Sequence, residues 1–150
     1  MRALLQRVSE AEVFVDGSST GRIGEGLLVY LGISPEDSTQ SAEKTAEKVA
    51  SLRIFNDSEG KLNLSVNDVD GAILVIPNFT LMGDARKGRR PSYNGSAPSD
   101  VAEPLFDHFV TALSRLVTVV ERGVFGADMT IESTARGPVN VVVDITPECA

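Results

Sequence analysis

Residues 72–81 read Ala-Ile-Leu-Val-Ile-Pro-Asn-Phe-Thr-Leu, and this stretch decides the class of fold. Its first five residues are an unbroken apolar run rich in β-branched side chains, which predicts a central strand covered on both faces. Pro77 cannot donate to a β-ladder, so the strand is expected to end there. Residues 78–81 therefore follow directly on the end of a buried strand.

Working outward, the sequence predicts a domain of strands with two helices. Strands are expected at residues 2–8, 12–16, 23–33, 62–64, 117–122, 127–134 and 139–145. Helical spacing of apolar residues follows Asp37, a candidate N-cap, and begins again near Asp100, with Pro104 in the first turn. The second helix is predicted to bury Val101, Leu105, Phe109, Ala112 and Leu116. Six or more strands, partly as hairpins, with two main helices predict a single α+β domain over residues 1–150.

Composition and charge limit where the protein works. The 150 residues are 42% apolar and 23% charged, which is the balance of a soluble globular protein. No apolar run approaches the ~20 residues of a membrane span. Arg7 and Glu10 interrupt the start of the chain before the apolar core of a signal peptide could form. The one cysteine, Cys149, has no partner for a disulfide or thiol motif, so the predicted location is cytoplasmic.

The net charge of −7 argues against bulk electrostatic binding of nucleic acid, which requires Lys and Arg. One segment departs from this balance, because Arg86, Lys87, Arg89 and Arg90 place four cations within five residues. They lie in a long loop predicted for residues 83–98, and loops of that length are usually functional or disordered. The cluster is either a solvated basic loop or a local patch that contacts phosphates.

Several kinds of chemistry are excluded by residues that the chain lacks. His108 is the only histidine, and its place near the buried stripe of the second helix favours a structural role. One histidine and one cysteine leave no Ser-His-Asp or Cys-His arrangement and no soft-metal site. Gly24, Gly26 and Gly32 lack the spacing of a dinucleotide-binding loop, so they indicate bends or close backbone packing. An enzyme of this composition would rely on backbone amides, hydroxyls and groups of its own substrate.

Two segments suit such chemistry. At residues 77–81, free backbone N–H groups of a strand end and the Thr80 hydroxyl could build an oxyanion hole. The alternative is a plain strand terminus, with Phe79 and Leu81 in the core. The second segment is Gly137-Pro138, in a turn predicted at residues 135–138 between two strands. An X-Pro bond in a tight turn can be cis and then fixes carbonyl directions, although most Gly-Pro pairs are trans.

These two segments, in this order, resemble the D-aminoacyl-tRNA deacylase (D-tyrosyl-tRNA deacylase) family, and the resemblance runs through nearly the whole chain. Further stretches similar to family sequence lie at residues 1–8, 24–29, 53–57, 60–64, 89–93 and 125–129. The resemblance implies a homodimer with mostly antiparallel, barrel-like or layered sheets. It also implies hydrolysis of the ester of mischarged aminoacyl-tRNA, as translation quality control, without a cofactor or metal.

The resemblance implies roles for individual residues. Backbone amides at Phe79 and Thr80 would stabilise the tetrahedral oxyanion, in a pocket for the 3′-terminal adenosine that Asn78 borders. Thr80 is a candidate nucleophile, but assistance by the ribose 2′-OH is favoured because no general base is present for Thr80. The Gly137-Pro138 pair of one subunit, in cis and braced by Arg7, would enter the partner's pocket and leave no room for an L side chain. The basic cluster at residues 86–90 would contact the tRNA.

The chain departs from the family pattern within these segments. Pro77-Asn78 replaces the usual Ser-Gln, Ala135 replaces Asn, and Asn140, a candidate substrate-binding residue, replaces Thr. A Pro at position 77 also occurs in a related branch that handles L-amino acids on the wrong tRNA, whereas Phe79 follows the D-specific pattern.

The leading hypothesis is a deacylase for D-aminoacyl-tRNA, and also for glycine mischarged on tRNA(Ala). The alternatives are a deacylase for mischarged L-amino acids, a diverged non-catalytic protein that binds tRNA ends, and a purely structural dimeric domain.

Overall fold

A computed structural model describes residues 1–146, which contain eight strands and two α-helices. The strands are β1 (Arg2–Val15), β2 (Ser18–Ile23), β3 (Gly26–Gly32), β4 (Phe55–Asn56), β5 (Leu62–Leu64), β6 (Ala72–Pro77), β7 (Val120–Arg122) and β8 (Thr130–Asp144). The helices are α1 (Thr39–Ser51) and α2 (Ser99–Ser114), and a 3-10 helix, Phe79–Met82, follows β6. Cys149 lies outside the described residues. Within them, no helix is long and apolar enough to cross a membrane.

Six of the strands form one mixed sheet. Its order is β2-β1-β3-β6-β7, and β8 pairs with β1 as well. The pairs of β1 with β2, β3 and β8 are antiparallel, whereas β6 pairs in parallel with β3 and β7. The sheet curls until β2 approaches β7, where a Cβ on Gly21 would lie 3.1 Å from the Arg122 carbonyl oxygen. The predicted α+β class, with a nearly closed barrel-like sheet, is confirmed.

β6 is the doubly covered central strand that the apolar run predicts. Its residues 73–76 are all buried. Ile73 and Val75 pack into the core that includes both helices, whereas Leu74 and Ile76 pack into a second core inside the curled sheet. A strand buried on both faces needs no polar alternation, which explains the continuous apolar sequence.

Of the bends or close backbone packing expected at Gly24, Gly26 and Gly32, close packing is found at Gly26. It pairs with Ala72, where β3 meets β6. A Cβ at this position would lie 1.8 Å from the Ala72 carbonyl oxygen, a distance that no side chain tolerates. Gly24, by contrast, has nothing within 4 Å of its would-be Cβ.

The N-cap of α1 is Ser38 rather than the predicted Asp37. The Ser38 hydroxyl accepts from the Ser41 N–H at 3.3 Å, and the Ser41 hydroxyl accepts from the Ser38 N–H in return. Asp37 instead accepts from the Met1 ammonium at 2.6 Å and from the Ser34 N–H at 2.8 Å. The buried Asp37 carboxylate is therefore occupied by an ion pair and is not available to the helix. The predicted apolar face, with Ala42, Ala46 and Val49, is buried as expected.

The buried face of α2 differs from the prediction. Its buried residues are Ala102, Leu105, Phe106, Phe109, Val110 and Leu113. Val101 and Leu116 are 37% and 42% exposed, and Ala112 is only partly buried, so only Leu105 and Phe109 of the predicted stripe are buried. Leu116 is exposed because the helix ends before it. Pro104 lies in the second turn rather than the first, where the helix does without its N–H.

Two predicted chain breaks are wrong. β1 is one strand rather than strands at 2–8 and 12–16, and β8 is one strand rather than strands at 127–134 and 139–145. The two pair with each other from Arg2 opposite Asp144 to Phe14 opposite Thr130. This long-range pairing supplies hydrogen-bond partners along both strands, so it overrides the local turn signals. The strands predicted at 23–33 and 117–122 are shorter than expected.

Candidate active site

The strand end after β6 is held by Asn78. Its N–H donates to the Leu31 carbonyl at 2.8 Å, which continues the pairing with β3. Its side-chain oxygen caps the 3-10 helix, because it accepts from the Thr80 N–H at 3.2 Å and also from the Thr80 hydroxyl. The short amide side chain thereby fixes the direction of the residues that follow.

Phe79 and Thr80 contribute different groups to this strand end. Among the described residues, the Phe79 N–H has no hydrogen-bond acceptor, whereas the Thr80 N–H is occupied by Asn78. The Thr80 hydroxyl donates to an amide oxygen, which is not a base. Within one protomer, the strand end thus offers one free backbone donor, that of Phe79.

Phe79 does not enter the core. Its side chain is 59% exposed and meets Tyr93 edge-to-face, with ring centroids 5.3 Å apart. Leu81 is half-buried. The alternative of a plain strand terminus with Phe79 in the core is therefore wrong, and a large apolar ring stands at the surface beside the free amide.

A cavity of about 520 Å³ opens beside Phe79. Asn78 and Phe79 form one side of it, and Thr80 is not part of its lining. The remaining lining comes from distant parts of the chain and includes Tyr93, Ala97, Phe125 and Met129. A mostly apolar cavity beside one backbone donor is suited to an aromatic or apolar ligand that carries a hydrogen-bond acceptor.

The Gly137-Pro138 pair lies in an excursion from the ladder of β1 and β8. Gln6 pairs with Asn140 and Val8 pairs with Ala135, so residues 136–139 together face the single residue Arg7. The predicted turn at residues 135–138 is therefore a bulge within a continuous strand. The Gly137-Pro138 bond is cis, and Gly137 has a φ of 125°, which L side chains rarely adopt. Both residues are exposed.

Arg7 braces this bulge. Its Nε donates to the Arg136 carbonyl at 3.2 Å, while its Nη1 donates to the Ile54 carbonyl at 3.1 Å and to the Asn56 side-chain oxygen at 2.6 Å. One guanidinium thus ties the bulge to the segment before β4. This geometry is what the role implied for Arg7 requires.

Within one protomer, the two candidate segments lie apart. The segment after β6 lies beside Arg2 of β1, because Arg2 Nη1 donates to the Leu81 carbonyl at 3.2 Å. The bulge lies beside Arg7 of the same strand. A β-strand from Arg2 to Arg7 spans about 17 Å. The cavity beside Phe79 accordingly contains neither Gly137 nor Pro138. Asn140 lies in the ladder opposite Gln6, is exposed and lines no part of this cavity.

The basic loop is closed by backbone hydrogen bonds, and of its four cations one is ion-paired and three are not. Asp84 and Ser92 exchange both backbone hydrogen bonds, at 2.7 and 2.9 Å. Arg86 binds the Asp84 carboxylate through Nε at 2.9 Å and Nη2 at 2.7 Å, which lowers the Asp84 pKa to about 2. Lys87, Arg89 and Arg90 are exposed and form no ion pair among the described residues. They are available to bind an anion.

Two other predictions concern histidine and metals. His108 on α2 contacts Glu43 on α1, with 2.9 Å between Nε2 and Oε1, so it joins the two helices as a structural residue would. In the part of the chain that the structure describes, no group of three or more His, Cys, Asp or Glu side chains is placed to hold a metal ion.

Sequence reasoning missed Asp84 and Tyr93 as parts of the site. Asp84 has a local signal, an acid two residues before Arg86 at the start of the basic cluster. Tyr93 has none, because its contact with Phe79 depends on how the loop returns to the strand end. Phe125 and Met129, which line the cavity, come from the segment before β8 and are brought there only by the fold.

Comparison with known proteins relates the chain to one family. The family profile described as D-Tyr-tRNA(Tyr) deacylase matches residues 4–144. The D-aminoacyl-tRNA deacylase of Desulfatibacillum aliphaticivorans is 49% identical over 144 residues, covering 96% of this chain and 99% of the relative. That of Anaeromyxobacter dehalogenans is 50% identical over 144 residues, covering 96% and 97%.

Solved structures show the same fold. The c-Myc DNA unwinding element binding protein superposes with a TM-score of 0.93 at 34% identity, over 98% of this chain and 100% of that chain. A structure described as a probable eukaryotic D-amino acid tRNA deacylase superposes with a TM-score of 0.84, over 96% of this chain and 98% of that chain. Its identity is 19%, so this likeness shows the fold alone.

Proposed function

This chain belongs to the D-Tyr-tRNA(Tyr) deacylase family, and from that premise we propose how its two site segments act together. The protein is an aminoacyl-tRNA deacylase, an ester hydrolase that acts on D-aminoacyl-tRNA. Two copies pair so that the Gly137-Pro138 bulge of one enters the cavity beside Asn78 and Phe79 of the other. The two sites formed in this way remove the D-amino acid from the 3′ end of the tRNA.

The observation that carries this proposal is the separation of two exposed half-sites. The strand end with the free Phe79 N–H lies beside Arg2 of β1, whereas the Gly137-Pro138 bulge lies beside Arg7, about 17 Å further along the strand. Neither half encloses an ester by itself. If the bulge of one copy meets the cavity of a second copy across a two-fold axis, symmetry places the second bulge in the first cavity as well.

The edge formed by β8 favours a second copy as the covering partner. β8 spans Thr130–Asp144 and, among the described residues, pairs only with β1. Most of its side chains are exposed, and Val142 is 57% exposed. A long strand with one unpaired edge is prone to aggregate unless it is covered. Because the bulge belongs to this same strand, covering it would also bring Gly137-Pro138 against the partner.

The chemistry rests on main-chain dipoles. The Phe79 N–H would donate to the oxygen of the ester carbonyl as negative charge develops on it. Water, assisted by the 2′-OH of the terminal ribose, attacks the carbonyl carbon, and the 3′ oxygen leaves with a proton. Thr80 is not the nucleophile in this scheme, because its hydroxyl donates to the Asn78 amide oxygen and no base is present to activate it.

Selection between enantiomers is steric. The carbonyls of Gly137 and Pro138 face the α-amino group of the amino acid, and the bulge fills the space that an L side chain would need. A D side chain points away from the bulge and needs no recognition of its own. Glycine has no side chain to exclude, so glycine mischarged on tRNA(Ala) is also a substrate.

The direct test compares matched D- and L-aminoacyl-tRNAs, together with glycyl-tRNA(Ala), and measures the released amino acid. Preferential loss of the D ester supports the proposal. Faster loss of the L ester would assign the chain to deacylation of mischarged L-amino acids. Binding of tRNA without release of any amino acid would indicate a non-catalytic tRNA-end binding protein, and no binding at all a purely structural domain. Sedimentation of the protein as a stable monomer would rule out the shared site.

Thr80→Ala is expected to retain deacylase activity within about threefold, whereas loss of a true nucleophile lowers kcat by roughly a thousandfold or more. Asn78→Ala provides the comparison, because it removes the cap of the 3-10 helix, an interaction of about 1 kcal/mol, and releases Phe79 from its fixed direction. We therefore expect a larger loss of kcat from Asn78→Ala than from Thr80→Ala. The opposite order would make the Thr80 hydroxyl part of the chemistry.

The basic loop supplies contacts to the tRNA backbone. Lys87, Arg89 and Arg90 are free to meet phosphates, whereas the Arg86 guanidinium is paired with the Asp84 carboxylate. The loop is continuous with the site, because the neck at Asp84 and Ser92 is followed by Tyr93, which contacts Phe79. A short acceptor end needs only such a patch, which suits a chain whose net charge is −7.

A triple variant, Lys87→Ala with Arg89→Ala and Arg90→Ala, is expected to lower the slope of log Kd against log[NaCl] for tRNA by about 2, since each phosphate contact contributes about 0.7 for a single strand. Arg86→Ala is the matched control within the same loop, and it should change the slope much less, because the charge it removes is already paired. Equal changes from removing Arg86 and removing Arg89 alone would contradict this division.

The cellular role follows from the reaction. Removal of D-amino acids from tRNA before they reach the ribosome is chiral proofreading, a form of translation quality control. Such an enzyme would work in the cytoplasm, where charged tRNA is used.

A further inference from the structure

Arg136 lies directly beside the Gly137-Pro138 pair. It is exposed, and among residues 1–146 it forms no side-chain hydrogen bond or ion pair. Its backbone, by contrast, is held firmly, because its carbonyl accepts from Arg7 Nε at 3.2 Å. Because its backbone is fixed and its guanidinium is exposed, Arg136 can bind a group outside the protomer.

The surroundings of Arg136 carry a net positive charge. A cleft of about 530 Å³ is lined by Arg7, Arg136 and Gly137, together with Glu25 and Asn56. Arg7 donates only to neutral acceptors, two carbonyls and the Asn56 amide oxygen. Glu25 shares the cleft but is ion-paired with neither arginine among the described residues. Two guanidinium groups without a paired carboxylate favour an anion.

We propose that Arg136 binds a backbone phosphate of the tRNA acceptor end, and that it does so in the site of the partner copy. This inference rests on the proposed function, in which the bulge enters that site and carries Arg136 to its rim. The 5′ phosphate of the terminal nucleotide is one ribose away from the ester that is hydrolysed. Arg136 thereby adds a phosphate contact at the site to those of the basic loop.

The chemistry of the substrate selects phosphate as the anion. An aminoacyl ester has no free carboxylate, and its α-amino group is a cation that would repel a guanidinium. The anions nearest the ester are therefore the phosphates of the terminal nucleotides. Arg is suited to them, because its planar donors match phosphate oxygens in a bidentate contact. Arg136 thus lies outside the amino-acid part of the pocket and binds only the nucleic-acid part of the substrate.

The test uses two substrates that share the ester and differ in phosphates, D-Tyr-tRNA(Tyr) and D-tyrosyl-adenosine. Arg136→Ala is expected to raise KM for the tRNA about threefold to tenfold at low salt and to lower the salt slope of kcat/KM by about 0.7, the contribution of one single-strand phosphate contact. Its kcat/KM for D-tyrosyl-adenosine should not change. Arg136→Lys should keep most of the tRNA activity, and Arg136→Glu should lose more than Arg136→Ala.

Arg115→Ala is the matched control, because Arg115 is an exposed arginine at the end of α2 that does not line the cleft beside Arg136, and its loss changes the net charge equally. It should leave both substrates unaffected. Equal losses on the two substrates would overturn the inference, since Arg136 would then act by shaping the bulge. Unchanged turnover of both would overturn it as well. If the parent chain hydrolyses neither substrate, the proposed function itself fails, which is a distinguishable result.

Discussion

Gly137→Ala is expected to lower kcat/KM for D-aminoacyl-tRNA by about a hundredfold. Gly137 has a φ of 125°, and a Cβ there would lie 2.7 Å from the Val139 nitrogen and 3.1 Å from Arg7 Nη2. The bulge must move to relieve these contacts, and a displacement of about 1 Å at a positioning group lowers the rate by about 10²-fold. Deacylation of D- and L-aminoacyl-tRNA measures the effect, while circular dichroism verifies that the variant is folded.

Gly17→Ala is the control for this experiment. Gly17 also has a positive φ, 77°, but nothing lies within 4 Å of its would-be Cβ, and it sits in the turn between β1 and β2. The substitution therefore imposes the backbone strain without the crowding and away from the bulge, and activity should be retained. A folded Gly137→Ala variant with the kcat/KM of the parent would show that the bulge takes no part in the site.

Gly26→Ala is expected to destabilise the fold by about 3 kcal/mol or more, at the upper end of the range for overpacked cores. The new methyl group would lie 1.8 Å from the Ala72 carbonyl oxygen and 2.7 Å from its carbonyl carbon, so two central strands would have to separate. For a domain of this size, a loss of 3 kcal/mol lowers the Tm by about 6–12 °C. Thermal and urea unfolding measure the change.

Gly24→Ala, two residues earlier, supplies the comparison. Gly24 is exposed, and a Cβ there would meet nothing within 4 Å. This variant should unfold at the same temperature as the parent chain. A Gly26→Ala variant that was equally stable would mean that β3 and β6 do not approach as closely as the structure has them.

Pro77 and Asn78, which depart from the family pattern at the strand end, fit its hydrogen bonding. The Asn78 N–H donates to Leu31, and alternate residues of a strand bond to the same neighbour, so the donor that Pro77 lacks would not have pointed to β3. Asn78, shorter than the usual Gln, has the length that caps a turn two residues on, and it binds both the N–H and the hydroxyl of Thr80. The substitutions therefore preserve the fixed Phe79 amide on which the proposed chemistry depends.

Local features of the sequence were enough to find the core and the first half of the site. An apolar run that stops at Pro77 predicts a buried strand and its end. Both features depend on the residues themselves: apolar side chains favour burial, and proline lacks the N–H that a β-ladder needs. The amphipathic face of α1 is local in the same sense. Where the sequence failed, at Asp37 and along α2, a distant group decided the outcome: the Met1 ammonium holds the Asp37 carboxylate, and the packed sheet and α1 choose the buried face of α2.

By itself, then, the sequence determined that residues 72–76 form a buried strand, that this strand ends at Pro77, and which face of α1 is buried. Only the tertiary structure decided that β1 and β8 are continuous, that Asp84 pairs with Arg86, and that Phe79 stands apart from Gly137 within one protomer. The physical reason is that residue patterns encode which face of an element is apolar, whereas the register between strands more than a hundred residues apart is set by the packing of the whole chain.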